Sequence, residues 1–193
     1  MNRHELEHII RAAGEIAGVE RVIIFGSQAI LAQFSDLPEQ FTDDDNSGIS
    51  ILLEDHKILF RSVEADVIIP DSIEKTELVE GAIGELSSFH DTFGYYAQGV
   101  DFNTSKLPEG WENRLVEICN ENTNGVSGLC LEIHDLIISK LYAGRKKDIE
   151  FFESAVNLGL LSQETLLKRL GKTLIPDKRR SVIKKYIKIG FLK

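Results

Sequence analysis

Cysteine is scarce in this chain of 193 residues, with only Cys119 and Cys130 present. Neither has a second Cys or a His at metal-ligand spacing, which speaks against a thiolate metal site and against a disulfide framework. Two ordinary thiols in a reducing compartment are the expectation. No run of about 18 uninterrupted apolar residues occurs, so no transmembrane helix is expected. The first residues, Met1-Asn2-Arg3-His4-Glu5-Leu6-Glu7-His8, lack the apolar core of a signal peptide, and a cytoplasmic location is the default. No internal repeat and no low-complexity segment is visible. Hydrophobic residues make up 42% and charged residues 27%, which excludes a disordered chain and suffices for one compact domain or two small ones.

Charge is plentiful but unevenly spread. The net charge is −9, yet the ten Lys and Arg between Lys168 and Lys193 face Asp177 alone, so this tail is +9 and the rest of the chain −18. Such asymmetry points to a polyanionic partner. A solvated helix face docking on the acidic remainder would account for it equally well.

Apolar periodicity organises the chain. Leu6, Ile9, Ile10, Ala13 and Ile16 recur at helical spacing, so residues 3–17 read as an amphipathic helix. Residues 21–25 (RVIIF) read as a buried strand ended by Gly26, and Ser27 is a candidate N-cap for a helix over 27–34. Residues 35–48 are polar and turn-rich. Ile49 to Leu53 reads as a strand, or residues 35–60 form a surface insertion. A strand carrying Glu64 and Asp66 stops at Pro70. A helix over 72–86, a strand over 93–100 and short strands over 114–119 and 128–132 follow. Beyond them the pattern is helical: 134–143, 146–158, 162–170 and 179–189, broken at Gly144, Gly159, Gly171 and Pro176. The expected fold is α+β, a small mixed sheet flanked by helices (residues 1–132) followed by a helical bundle (133–193).

Three constellations carry chemistry. In Ile24-Phe25-Gly26-Ser27 a strand ends at a residue without a Cβ and a hydroxyl follows, a corner that a phosphate can approach closely. Glu64 and Asp66 share one face of a strand, because side chains alternate with period two. Two carboxylates there repel each other and resist desolvation, and Mg²⁺, which takes one or two carboxylates plus nucleotide phosphates, removes that cost. The third lies on helices: Lys140 and Arg145 could reach nucleotide phosphates, or either could pair structurally with Asp135 or Asp148. Tyr95, Tyr96 and Trp111 suit base stacking or a core. His90 reads as a surface residue in a turn that could be near the site, and His134 as a cap preceding the next helix.

Gly26-Ser27, the acids at 64 and 66, and the run from Asp135 through Lys140 to Asp148 together resemble the nucleotidyltransferase superfamily. Within it they are similar to AbiEii-type proteins, whose relatives include toxins of toxin–antitoxin systems. The resemblance spans residues 20–160. It implies a polymerase-β-like fold, Mg²⁺ dependence and transfer of a nucleoside monophosphate from an NTP to an RNA (a tRNA among the candidates) or to a protein hydroxyl. An antitoxin partner is implied as well. Gly26 and Ser27 would bind phosphates and Glu64 and Asp66 the metal, with Lys140 and Asp148 supporting the site. The alternative is a degenerate member that keeps the fold and binds nucleotide or RNA without turnover. Three departures from the superfamily pattern stand out. Ser27 and Glu64 are 37 positions apart, against about ten in the superfamily. The rival acids Asp43 and Asp45 lie nearer that spacing but among loop formers. The pair is Glu-x-Asp rather than Asp-x-Asp, and the third carboxylate has only Asp101 and Glu117 as candidates.

Overall fold

The computed structural model of the chain describes residues 1–34 and 47–192, with side chains at 47–52 and 104 left out. It divides into two compact units. The first comprises Met1–Ser35, Ser62–Thr104 and Glu112–Glu132. The second comprises Asp36–Arg61, Ser105–Trp111 and Ile133–Lys193.

The first unit is built on a five-stranded mixed sheet: β1 (Arg21–Phe25), β2 (Glu64–Ile68), β3 (Tyr96–Gly99), β4 (Val116–Ile118) and β5 (Ser127–Cys130), in the order β3-β2-β1-β5-β4. Strand β1 runs antiparallel to β2 and parallel to β5, while β2 and β3 are parallel. Helix α1 (Arg3–Ala17) starts at Asn2, whose side chain accepts from the Glu5 amide in a reciprocal capping box. It ends at Gly18 in the left-handed region. Its buried stripe, Leu6, Ile9, Ile10 and Ala13, covers one sheet face. Ile10 presses so closely on Gly128 that a Cβ there would lie 2.3 Å from its Cδ1. The register places Val22, Ile24, Ala65, Val67, Ala97 and Cys130 on this face, all fully buried. Burying each of the larger ones contributes about 1.5–3 kcal/mol, and together they make this sheet face a core. Helices α3 (Ile73–Ile83) and α4 (Ser88–Phe93) form the crossover between β2 and β3.

The second unit is helical, with α2 (Ser47–Phe60), α5 (Ile133–Ala143), α6 (Lys146–Asn157), α7 (Gln163–Gly171) and α8 (Asp177–Gly190). Helix α2 packs on α6, where Asn157 donates to Asp55 at 2.9 Å and Arg61 meets Glu150 at 3.1 Å. Residues 105–111 are tied to the C-terminal segment: the Glu109 amide donates to the Lys172 carbonyl, and Pro108 bridges Thr173.

Several local expectations are corrected. Residues 49–53 lie inside α2 and form no strand; an apolar run of that length suits either state, and here the helix continues through it. The strand expected over 93–100 is confined to Tyr96–Gly99, because Ser87 caps α4 and Gly94 ends it with φ 78. Residues 111–114 form a 3-10 turn, which shortens the next strand to Val116–Ile118. Ser27 is the first residue of a 3-10 helix (Ser27–Ala32), not its cap; Gly26 holds the cap position with no side-chain bond. His134 lies within α5, and its Nε2 accepts the Ser162 amide. Both cysteines are free, Cys119 exposed and Cys130 buried.

Candidate nucleotide site

Strand pairing sets the geometry of the corner. In the β1–β2 register Phe25 lies opposite Asp66, so Gly26, one residue on, falls beside the Asp66 side chain. The contact is close: a Cβ built on Gly26 would lie 1.8 Å from Asp66 Oδ2 and 2.8 Å from its Cγ. Gly26 also has φ 67 and ψ −165, a conformation that essentially only glycine adopts. Gly26, Ser27, Glu64 and Asp66 are all half-buried, neither sealed in the core nor fully in water. The fold thus gathers the phosphate-binding and acidic candidates that the sequence separates by dozens of residues.

Glu64 and Asp66 share the sheet face opposite α1. Tyr96, the β3 residue in register with Glu64, donates its hydroxyl to Glu64 Oε2 at 3.2 Å. Burial, aided by the charges of Glu64 and Glu85, pushes the Tyr96 phenol up to about 12, so it remains a donor at neutral pH. His90, in α4, packs its ring against Tyr96 at 4.6 Å, so it contacts the Glu64 partner, in line with the reading that it could be near the site. Gln98, opposite Asp66, is exposed.

Gln28 follows the corner and is completely buried, and among the described residues neither Nε2 nor Oε1 has a hydrogen-bond partner. Buried amides are nearly always bonded, so this one marks the turn as unusual. The sequence offered no sign of it, since a Gln early in a short helix reads as surface.

Of the two candidates for a third acid, Glu117 lies apart from the pair, while Asp101 follows β3, next to Phe102, whose ring packs on Phe25 opposite Asp66. Glu117 is on β4, three strands along from β2, and accepts from Ser127 Oγ at 2.5 Å. Asp101 accepts from the Asn103 amide at 2.7 Å. With Asp71, Ser72 and Thr76, Asp101 lines a cavity of about 220 Å³ beyond Ile68, at the other end of β2 from Glu64. Asp43 and Asp45 lie outside the described residues. Among the described residues no group of three or more His, Cys, Asp or Glu is gathered for a metal. The donor set still fits Mg²⁺, which takes a minority of its oxygens from protein and keeps phosphates and waters for the rest.

The helical candidates form their own network. Asp148, fully buried, accepts from the Arg145 backbone at 3.3 Å, from Arg145 Nε at 2.7 Å and from Lys140 Nζ at 3.5 Å. Burial works to raise its carboxyl, but the bonds from Arg145 and the charges of Lys140 and Arg145 outweigh it and hold the group below the usual carboxylate range. Lys140 is itself buried, with its ammonium over the Phe151 ring at 4.5 Å. The structural ion pair is therefore present at Lys140, while the Arg145 side chain is 60% exposed. Asp135 pairs instead with Arg169, whose Nε lies 3.3 Å from Oδ1 but is not aligned for a hydrogen bond.

A five-stranded mixed sheet flanked by helices is consistent with a nucleotidyltransferase-like fold. The family model described as "nucleotidyltransferase of unknown function (DUF6036)" matches residues 4–188. The chain belongs to that family. Comparison with curated proteins found no match, and neither did comparison with solved structures. No helix among the described residues is long and apolar enough to cross a membrane.

Proposed function

We propose that the chain transfers a nucleoside monophosphate from an NTP to a hydroxyl of an RNA, tRNA among the candidates, or of a protein, with the hydroxyl oxygen bonding the α-phosphorus as pyrophosphate leaves and its proton passing to solvent. The observation that supports this reading best is the contact between Gly26 and the Asp66 carboxylate. A phosphate held at the corner by the Gly26 backbone and the Ser27 hydroxyl would lie against the acids, and no side chain other than glycine leaves that room. Glu64 and Asp66 would hold Mg²⁺, which when bound offsets phosphate charge and polarises the reacting phosphorus. Tyr96 keeps one Glu64 oxygen engaged and so limits the orientations the carboxylate samples. Asp148 fixes Lys140 and Arg145, and Arg145 is the one exposed enough to meet a phosphate. The AbiEii-type form of the proposal adds a toxin-like role restrained by an antitoxin protein.

Label transfer from a radioactive NTP into pooled RNA and protein tests the reading. Asp66→Ala should abolish transfer while the circular dichroism spectrum and melting behaviour stay those of the native chain. Undiminished transfer by Asp66→Ala would refute the assignment. The placement of Glu117 on β4 supports one second reading, a degenerate member that binds nucleotide without turnover. Metal-dependent NTP binding with no transfer to any acceptor pool would select it.

A further inference from the structure

The cations of the C-terminal segment fall into two groups. The arginines are engaged within the bundle. Arg169 meets Asp135, Arg179 donates to the carbonyls of Leu141 and Tyr142, and Arg180 donates to those of Leu170, Thr173 and Ile175. Arg180 also takes up Asp177, the acid closest to it in sequence, at 3.7 Å. The lysines are not engaged. Lys168, Lys172, Lys178, Lys184, Lys185 and Lys188 are exposed, and none has a side-chain partner among the described residues.

Helix α8 carries four of these lysines and an exposed aromatic, with two of the lysines beside the stripe that holds the ring. Ile183 and Ile187 face inward and are buried. At about 100° per residue, Val182, Tyr186 and Ile189 form a separate stripe along the helix, 40%, 46% and 50% exposed. Lys178 and Lys185 lie along one edge of that stripe, while Lys188 and Lys184 continue round the helix away from it, Lys184 lying nearly opposite Tyr186. The outer surface of α8 is thus a line of ammonium groups beside a half-exposed phenol ring, with aliphatic contact one turn to either side.

We propose that this face of α8 binds single-stranded RNA, with phosphates on the lysines and a base stacked on Tyr186. The inference rests on the reading of the chain as a nucleotidyltransferase with an RNA acceptor, and it names where that acceptor is held. Base stacking on an aromatic within a basic track is how sequence-tolerant single-strand binding is built. Isolated ammonium groups meet phosphates as point charges, while the arginines are bonded internally. With a net charge of −9 the chain as a whole repels a polyanion, so binding depends on this local track and is steeply salt-dependent.

Fluorescence anisotropy of a labelled 20-nucleotide oligo(U) with the full chain tests it. Two phosphates engaged, at Lys178 and Lys185, predict a slope of about −1.4 in log K against log salt, at about −0.7 each. Lys178→Glu with Lys185→Glu should weaken binding at least about tenfold and flatten the slope. Tyr186→Leu keeps the apolar stripe but removes the ring, and should weaken binding about 5- to 100-fold with the slope unchanged. Asp66→Ala should bind oligo(U) like the native chain. The proposal is overturned by absent binding at low salt, by insensitivity to Tyr186→Leu, or by tighter binding of a glutamate-rich amphipathic peptide than of oligo(U). If the chain transfers label yet ignores oligo(U), this inference fails alone. If it binds oligo(U) through Tyr186 yet transfers nothing, the failure belongs to the enzymatic reading.

Discussion

Replacing Gly26 with alanine perturbs the corner at its narrowest point. Two effects separate cleanly. The backbone at φ 67, ψ −165 costs a residue bearing a Cβ about 1–3 kcal/mol. The added methyl would also lie 1.8 Å from Asp66 Oδ2, far inside contact distance, so the carboxylate must swing away. A terminal carboxylate can rotate cheaply, and most of the steric cost is relieved by displacing the group the site needs. Gly18→Ala is the internal control: it has φ 60 and ψ 49, nothing lies within 4 Å of its added Cβ, and it faces no ligand candidate. Its expected cost is about 1–2 kcal/mol. For a chain of this size each kcal/mol lowers the melting temperature by about 2–4 °C. The two variants should therefore lose comparable stability, within a few degrees of each other, while only Gly26→Ala loses nucleotide affinity, by at least about tenfold. Differential scanning fluorimetry with and without Mg-NTP reads both quantities at once. If Gly26→Ala keeps its nucleotide-induced stabilisation, the position of the Asp66 carboxylate is irrelevant to binding and the site is misassigned.

Tyr96→Phe deletes only the hydroxyl that bonds Glu64; it should leave the melting temperature nearly unchanged and raise the Mg²⁺ concentration needed for half-maximal nucleotide binding several-fold, read by isothermal titration. Gln28→Leu removes two buried amide atoms that lack partners among the described residues and should raise stability by about 1–2 kcal/mol in urea unfolding; a loss instead would show that a further partner, such as an ordered water, satisfies the amide. Asp148→Ala leaves the buried Lys140 without its counter-charge and should cost about 3–5 kcal/mol. Because the native Asp148 carboxyl is held below its unfolded value, its contribution is complete above about pH 4 and is lost as pH falls through the lower native value. Asp148→Asn should accordingly flatten the acid limb of a stability-against-pH curve measured by urea unfolding.

Much of this was legible before any coordinates. Helix α1 and strand β1 carry clear periodicity and end at glycines, and both fall where the pattern puts them. The period-two alternation of Glu64 and Asp66 around buried Ala65 is likewise visible in the chain. The failures have physical causes. Ile49 to Leu53 is short and apolar, and such a run carries no period long enough to tell helix from strand. Tyr96 could not be matched to Glu64, because parallel register between β2 and β3 is set by a crossover and no local signal encodes it. Composition counted the ten tail cations alike, whereas the fold separates carbonyl-bound arginines from solvent-facing lysines. Asp135, Lys140, Arg145 and Asp148 were recognised as a group, yet which acid each cation meets depends on the turn at Gly144, where φ is 66.

The pairing of Phe25 with Asp66 has a bearing on how such proteins are found. Neighbouring strands hold the corner against the acids by ladder hydrogen bonds, so the length of chain between them is irrelevant to where they meet. Insertions there can grow or shrink without moving a reacting atom. A pattern search that demands a fixed interval between glycine–serine and carboxylates would pass over this sequence, whereas one that asks only for two apolar strands able to zip antiparallel would retrieve it.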